Sequence, residues 1–159
     1  MKLLKYTFLC AILLTMSCKD SQKEAITEKT EYKKESATKT VALESVWKTN
    51  TTLTTSEGVC YDATKNVIYV SNIGAVPPNT KDGDGTLSII DTDGKIMTQN
   101  WITGLNAPKG ITIYNGKLYV ADINEVIKVD IETGIIDKRI KIEASLFLND
   151  VDVDASGTV

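Results

Sequence analysis

The sequence predicts an all-β protein, and more specifically a β-propeller, because one strand-rich unit recurs along the chain. The copies read EGVCYDATKNVIYVSN from Glu57, KGITIYNGKLYVADIN from Lys109 and NDVDVDASGTV from Asn149. Each copy opens on a polar residue and continues with a short strand, a turn that contains Asn or Gly, and a second strand. The copies are spaced by roughly 40 to 50 residues, which is the length of a propeller blade.

The first two copies each continue into two further strands. GTLSIIDTDG from Gly85 and EVIKVDIETG from Glu125 predict a third strand that ends in an acidic turn, and the fourth strands are predicted in KIMTQNW and IIDKRIKI. Four antiparallel strands per unit, with no helical segment between them, favour a propeller over a βαβ fold. An unrelated β-sandwich with similar strands is the alternative.

The third copy is incomplete. Alternation of charged residues with Val151 and Val153 predicts a strand, Ala155–Gly157 predicts a tight turn, and Thr158–Val159 predicts the start of a partner strand. We therefore expect about two blades and part of a third, a fragment of a propeller that is truncated at its C-terminal end. The segment VALESVWKTN, from Val41, alternates like one more strand.

The first 17 residues have the composition of a signal peptide. Lys2 and Lys5 precede an apolar run from Tyr6 to Met16 that is too short to span a bilayer comfortably. A buried N-terminal helix is the alternative. Residues 18–40 are rich in Lys, Glu, Thr and Ser and are predicted to form a disordered tether, because they bury too little apolar surface to offset the entropy of ordering. The propeller domain is expected over residues 41–159.

The stretch LTMSC, which ends at Cys18, resembles the lipobox of bacterial lipoproteins, with Ser17 as the small residue before the cysteine. This resemblance implies that Cys18 is lipidated. The tract KDSQKE that follows resembles sequences that direct lipoproteins to the outer membrane or cell surface. A diacylated cysteine anchors a protein without a spanning helix. We therefore expect membrane contact through the lipid anchor alone, on the periplasmic or extracellular face.

Composition excludes several classes of function. The net charge of −3, without a basic face, argues against a nucleic-acid partner. The chain has no histidine, which excludes Ser-His-Asp and Cys-His catalysis and His-ligated zinc. Cys10 leaves with the signal peptide and Cys18 is expected to be lipidated, so Cys60 remains alone and a disulfide framework is excluded. We interpret Cys60 as a small core residue rather than a reactive thiol.

The stretches SEGVCYD, LNAPKGITIYNGKLYVAD and LNDVDVDASGTV resemble the superfamily of senescence marker protein, gluconolactonase and luciferin-regenerating enzyme, whose members are six-bladed β-propellers. NHL-repeat proteins and strictosidine synthase are more distant relatives. The resemblance covers about residues 41–159. It implies a divalent cation with Glu57 as one ligand. Asn149 either joins the metal shell or lines the substrate pocket, and the remaining ligands lie in later blades. Such oxygen ligands suit calcium. The resemblance further implies that the cation polarises the carbonyl of a lactone or related ester during hydrolysis.

The order of the strands predicts which polar residues share one rim of the domain. An inner strand begins where the second strand ends, because the two are antiparallel neighbours. Glu57 is therefore expected beside Asn72, and Lys109 beside Asp122. The expected pocket, for a small lactone, ester or sugar-derived ligand, contains Asn72, Lys109, Asp122, Asn149 and Asp150. No residue is assigned the catalytic role.

Two features of this rim stay open at the level of sequence. Lys109 could pair with Glu57 in place of a metal, bind an anionic group of the substrate, or point to solvent. The loop 73–85 leaves the same rim and is either a lid or an ordinary surface loop. Its DGDG motif, from Asp82, predicts a turn rather than a calcium site, because Thr80 stands where the first carboxylate of a calcium loop belongs.

Two functions fit this sequence. The first is a surface-anchored, metal-dependent hydrolase of lactones or related esters. The second is a propeller lipoprotein that binds a ligand or a protein without catalysis. Asn and Asp at the openings of the fourth and fifth blades would favour the hydrolase.

Overall fold

The computed structural model describes residues 42–159, so the predicted signal peptide, the Cys18 lipidation site and the tether lie outside the described residues. Eight strands form two four-stranded antiparallel sheets, which confirms the all-β prediction. The first sheet contains, in spatial order, β1 (Ser56–Asp62), β2 (Val67–Asn72), β3 (Gly85–Ile90) and β4 (Ile96–Leu105). The second contains β5 (Pro108–Tyr114), β6 (Lys117–Asp122), β7 (Glu125–Asp130) and β8 (Ile135–Lys141). None of the described residues belongs to a helix that could cross a membrane.

The hairpins close at the turns that the sequence predicts. Asn115–Gly116 joins β5 to β6 with φ angles of 47° and 70°, the conformation of a type I′ turn. The acidic turns after β3 and β7 are closed by glycine. Gly94 N donates to Asp91 O at 3.1 Å, and Gly134 N donates to Asp130 O at 2.9 Å. Both glycines have positive φ, which residues with a side chain adopt only at a cost.

The core lies between the two sheets. Alternate residues along each strand point to the same face of a sheet, so the apolar residues of every second position meet those of the other sheet. The ring of Tyr69 packs on Trp101 with centroids 5.2 Å apart. The buried core contains Val67, Tyr69, Leu87, Ile102, Leu105, Leu118, Val120, Ile127, Val129 and Ile131.

A buried serine joins the two sheets where β1 meets β5. The Ser71 hydroxyl accepts a hydrogen bond from Gly58 N at 2.8 Å and donates one to Lys109 O at 2.7 Å. A Cβ atom at position 58 would lie 2.5 Å from Lys109 O, closer than real Cβ contacts occur. The close approach of the sheets therefore requires the glycine, and the hydroxyl links the two backbones.

The third copy of the repeat does not form the predicted strand over residues 150–154. The backbone meets the second sheet at its start, where Gly110 N donates to Asn149 O at 3.0 Å. The tight turn at 155–157 is confirmed: the carboxylate of Asp154 accepts hydrogen bonds from Ser156 N and Thr158 N at 2.8 and 2.9 Å. The strand prediction was wrong because alternation of polar and apolar residues favours only a half-buried face. A strand also needs a ladder of hydrogen bonds to a neighbouring backbone.

The predicted extra strand from Val41 is also wrong over its described residues, 42–50, which have no strand conformation. Side-chain contacts hold this segment instead. The Trp47 ring lies against Gly94, in the turn after β3. Slightly further on, the Gln99 side chain donates to Thr52 O at 2.9 Å. The alternating pattern here reflects one aromatic anchor and not a pleated strand.

Candidate functional site

Three of the predicted site residues line one cavity at the rim of the domain. This rim cavity has a volume of about 340 Å³. Glu57 comes from β1, whereas Asn149 and Asp150 come from the segment that follows β8. The remaining lining residues are Gly58, Val59, Gly110 and Ile111. Residues that open the first and the third copies of the repeat are therefore brought together.

Glycine at the second position of the first two copies lets the backbones approach each other at the rim cavity. A Cβ atom on Gly110 would lie 2.7 Å from the Cα atom of Asp150, as one on Gly58 would approach Lys109 O. In each of these two copies, the glycine therefore contacts the opening residues of the next copy. This packing brings Asn149 and Asp150 into the same cavity as Glu57.

The rim cavity is acidic. Two carboxylates line it, those of Glu57 and Asp150, together with the amide of Asn149. One oxygen of Asp150 accepts a hydrogen bond from Val151 N at 2.9 Å. Oxygen donors of this kind fit a hard cation such as calcium, which takes six to eight of them. Within residues 42–159, no group of three or more His, Cys, Asp or Glu side chains is arranged around one metal position.

Asn72 lies at the same rim, but its side chain is buried and its polar atoms face its own sheet. Its Oδ1 atom accepts a hydrogen bond from the Ser56 hydroxyl at 3.1 Å. Its Nδ2 atom donates to the hydroxyls of Thr86 at 3.3 Å and Ser88 at 3.0 Å. These bonds connect β1, β2 and β3. Asn72 therefore stabilises the sheet, and a role in ligand binding stays a prediction.

Asp122, the counterpart of Asn72 in the second copy, is also fully buried. Its Oδ1 atom accepts a hydrogen bond from Ala107 N at 2.7 Å, and its Oδ2 atom accepts one from Asn106 N at 2.9 Å. The carboxylate thereby satisfies two backbone donors in the connection between β4 and β5. A role for Asp122 in the substrate pocket likewise stays a prediction.

Lys109 has 1% of its surface exposed, which rules out the alternative that it points to solvent. It forms no ion pair with Glu57 or any other acid of residues 42–159. Its ammonium donates to Ala107 O at 2.8 Å and lies 4.2 Å from the centre of the Phe147 ring. Burial lowers the pKa of Lys109, whereas the negative charges of Asp122 and Glu57 act in the opposite direction.

The loop 73–85 is fixed across the rim by hydrogen bonds at both ends. The Thr55 hydroxyl donates to Gly74 O at 2.8 Å, and the Lys81 ammonium donates to the side-chain oxygen of Asn124 at 2.6 Å. Asp84, in the DGDG motif, accepts a hydrogen bond from Ala75 N at 2.8 Å. The carboxylate of Asp84 therefore organises the loop backbone.

A strained residue lies beside this loop and has no signal in the sequence. Ile123 adopts a φ of 52° in the two-residue turn between β6 and β7. A positive φ is a genuine outlier for a β-branched residue. Ile123 O accepts a hydrogen bond from Leu148 N, which ties the turn to the segment that precedes Asn149. Backbone strain of this kind concentrates at binding and catalytic sites.

Cys60, on β1, is partly buried rather than part of the core. Burial raises the pKa of its thiol, and the nearby charge of Asp62 raises it further. A raised pKa disfavours the thiolate, which is the nucleophilic form of cysteine. The environment of Cys60 therefore does not activate the thiol.

A second cavity, of about 440 Å³, lies at the opposite rim, where β1 ends. The Lys65 ammonium forms an ion pair there with Glu132 at 2.8 Å, and this pair connects the two sheets. The side chain of Glu132 is 82% exposed. An exposed ion pair of this kind adds little stability. None of the predicted site residues lines this cavity.

The similarity of this chain to known proteins is weak. No family model and no curated protein matches the chain. A chain in the crystal structure of a nidogen/laminin complex is similar over 63% of this chain, with 14% sequence identity and a TM-score of 0.31. The match spans 52% of that chain, about half of its length. A similarity at this level supports no conclusion about fold or function.

Proposed function

We propose that residues 42–159 belong to a six-bladed β-propeller hydrolase that resembles the gluconolactonase superfamily. The protein is anchored by Cys18 at the outer membrane or cell surface and hydrolyses lactones or related esters in the rim cavity. One observation carries this proposal: Glu57 and Asn149, from different copies of the repeat, line the same cavity. The two four-stranded sheets, each of one repeat, are consistent with two blades of a propeller.

The oxygen atoms of Glu57, Asn149 and Asp150 would hold a divalent cation in this cavity, and calcium fits them best because it prefers carboxylate and amide oxygen. A bound cation would supply Lewis acidity toward the ester carbonyl. The protein itself contributes a cavity whose walls are backbone at Gly58 and Gly110, so a small ligand can approach the carboxylates closely. The acidic lining favours a neutral substrate such as a sugar lactone over an anionic one.

Hydrolysis of D-glucono-1,5-lactone by the full-length protein, with every blade of the proposed propeller, tests this proposal. The rate of acid release is measured with calcium and with a chelator, after subtraction of spontaneous hydrolysis. Glu57→Gln keeps the shape of the side chain and removes its charge, and we expect it to lower kcat/KM by about 100-fold or more, the range for groups that stabilise transition-state charge. Glu132→Gln, at the opposite rim, is the matched control and should retain wild-type activity.

Calcium binding is measured separately by titration calorimetry. Wild type should bind calcium, and Glu57→Gln should bind it more weakly because one carboxylate ligand is lost. The hydrolase proposal is wrong if wild type has no lactonase activity, or if Glu57→Gln is as active as wild type.

The second candidate is a propeller that binds a ligand without catalysis. It is favoured by two exposed apolar residues near the rim cavity, Leu146 and Phe147, which are 85% and 47% exposed. Aromatic and aliphatic side chains beside a polar cavity are typical of sites for sugars and proteins. We test it with 1,5-anhydro-D-glucitol, a neutral sugar analogue that has no ester bond to hydrolyse. Binding of this analogue that is lost in Phe147→Ala, with no lactonase activity in wild type, would favour this candidate.

A further inference from the structure

Lys109 is a buried cation that forms fewer hydrogen bonds to residues 42–159 than its ammonium group can donate. It is the second residue of β5 and is 1% exposed. An ammonium group carries three donors. One donates to Ala107 O at 2.8 Å, and no second hydrogen bond or ion pair to residues 42–159 is formed. Burying a charge is costly unless it is paired and hydrogen-bonded. The position is therefore unfavourable for lysine on structural grounds alone.

Asp122, the carboxylate with the strongest electrostatic effect on Lys109, does not contact its ammonium. Asp122 contributes a negative field at Lys109, but its two oxygens accept hydrogen bonds from Ala107 N and Asn106 N. Glu57, in the rim cavity, contributes a second negative field. Burial lowers the pKa of Lys109, and these two fields offset part of that effect. Since neither carboxylate contacts the ammonium, its remaining donors are free for another acceptor.

The ring of Phe147 covers the ammonium. The distance from the Lys109 nitrogen to the ring centre is 4.2 Å, and the ring is 47% exposed, so its other side faces solvent. Phe147 lies two residues before Asn149, which lines the rim cavity. Gly110, next to Lys109, lines the same cavity and is bonded to Asn149 O. Lys109 itself is not one of the residues that line the cavity, so rotation of the Phe147 side chain is needed to uncover its ammonium at this rim.

We propose that Lys109 is a catalytic residue that donates a hydrogen bond to the carbonyl oxygen of the substrate once Phe147 has turned aside. This inference rests on the lactonase proposed above. A fixed ammonium in a water-poor site stabilises the negative charge that develops on a carbonyl oxygen during ester hydrolysis. A residue that is unfavourable for folding and well placed for this charge is expected at an active site.

Hydrolysis of the lactone then proceeds through a tetrahedral intermediate. The oxygen of a water molecule bonds to the carbonyl carbon, and the π pair moves to the oxygen beside Lys109. A proton of that water passes to a solvent water molecule. The intermediate then collapses, the ring C–O bond breaks, and the leaving alkoxide takes a proton back from solvent. The product is the open hydroxy acid.

The test measures kcat and KM of the full-length protein with D-glucono-1,5-lactone in wild type, Lys109→Met and Lys128→Met. Lys128 is the matched control, because its ammonium also lies over an aromatic ring, that of Tyr119 at 5.8 Å, but on β7. We expect Lys109→Met to lower kcat by about 100-fold with little change in KM, as for loss of one oxyanion donor. Lys128→Met should leave both constants within about twofold of wild type, the effect of a surface substitution.

Thermal unfolding of each variant separates catalysis from folding. Lys109→Met should fold, since it removes a buried charge and keeps the length of the side chain. Lys109→Gln is the second variant, because it keeps a donor for Ala107 O. Wild-type kcat in either folded variant overturns the inference. If wild type is active, Glu57→Gln inactive and Lys109→Met active, the inference alone fails. If wild type is inactive, the proposed function fails and this inference fails with it.

Discussion

The hydroxyl of Ser71 offers a sharp test of how the two sheets are held together. It is fully buried, and it connects Gly58 N in the first sheet to Lys109 O in the second. In the second copy of the repeat, Ala121 takes the place of Ser71, and Gly110 N bonds directly to Asn149 O at 3.0 Å. Alanine is therefore sufficient where two backbones bond to each other, and serine is needed where they do not.

Ser71→Ala removes both hydrogen bonds and leaves a donor and an acceptor buried. A buried polar group without a partner costs about 1–3 kcal/mol. If Gly58 N and Lys109 O move together after the substitution, part of this cost is recovered. We therefore expect the free energy of unfolding to fall by about 2 kcal/mol, the lower end of the range for two such groups.

Urea unfolding, followed by tryptophan fluorescence, measures this change, because Trp101 packs on the core residue Tyr69. Ser156→Ala is the matched control: it removes a hydrogen bond of 2.6 Å to Asp154, but at an exposed site, where we expect a loss of about 0.5 kcal/mol or less. A loss below about 0.5 kcal/mol for Ser71→Ala, with an unchanged denaturant slope, would show that the hydroxyl does not join the sheets.

Three further predictions concern other parts of the chain. Gly110→Ala places a Cβ atom 2.7 Å from the Cα of Asp150, so it should lower the free energy of unfolding by about 1–3 kcal/mol. It should also speed amide hydrogen exchange after residue 148, and unchanged exchange would contradict this prediction. Hydrogen bonds from Lys117 hold the pKa of Asp130 well below its usual range, so this carboxylate stabilises the fold above about pH 4 and loses that effect as the pH falls through the lowered pKa. Asp130→Asn should therefore flatten the decrease of Tm below pH 4, and an unchanged profile would argue against this role. Radiolabelled palmitate should label wild type and not Cys18→Ala; equal labelling would exclude lipidation at this cysteine.

The sequence by itself determined the strands and the turns between them, because both depend on local chemistry. Asn115–Gly116 adopts a turn that few other residue pairs tolerate, and glycine closes each acidic turn. The four-strand repeat follows from the same local signals. The repeat also predicted that Glu57 and Asn149, as equivalent residues, would share one rim, and both line the rim cavity.

Alternation alone misled the prediction at both ends of the described chain. The residues from 42 to 50 and from 150 to 154 alternate, but neither segment is a strand. A strand needs the hydrogen bonds of a neighbouring backbone, and a sequence pattern records only which side chains favour burial. The first segment is held by the contact of Trp47 with Gly94, which no periodicity could predict.

Only the tertiary structure decided the state of the polar side chains at the rim. Asn72 and Asp122 occupy equivalent positions, but Asn72 bonds to hydroxyls of its own sheet whereas Asp122 bonds to the backbone after β4. Lys109 is buried because Phe147, distant in sequence, lies over its ammonium. The repeat pattern in the sequence predicts that a residue lies at the rim, but the groups that its side chain contacts come from other parts of the chain. The charge state and accessibility of Lys109 therefore depend on packing that the sequence does not display.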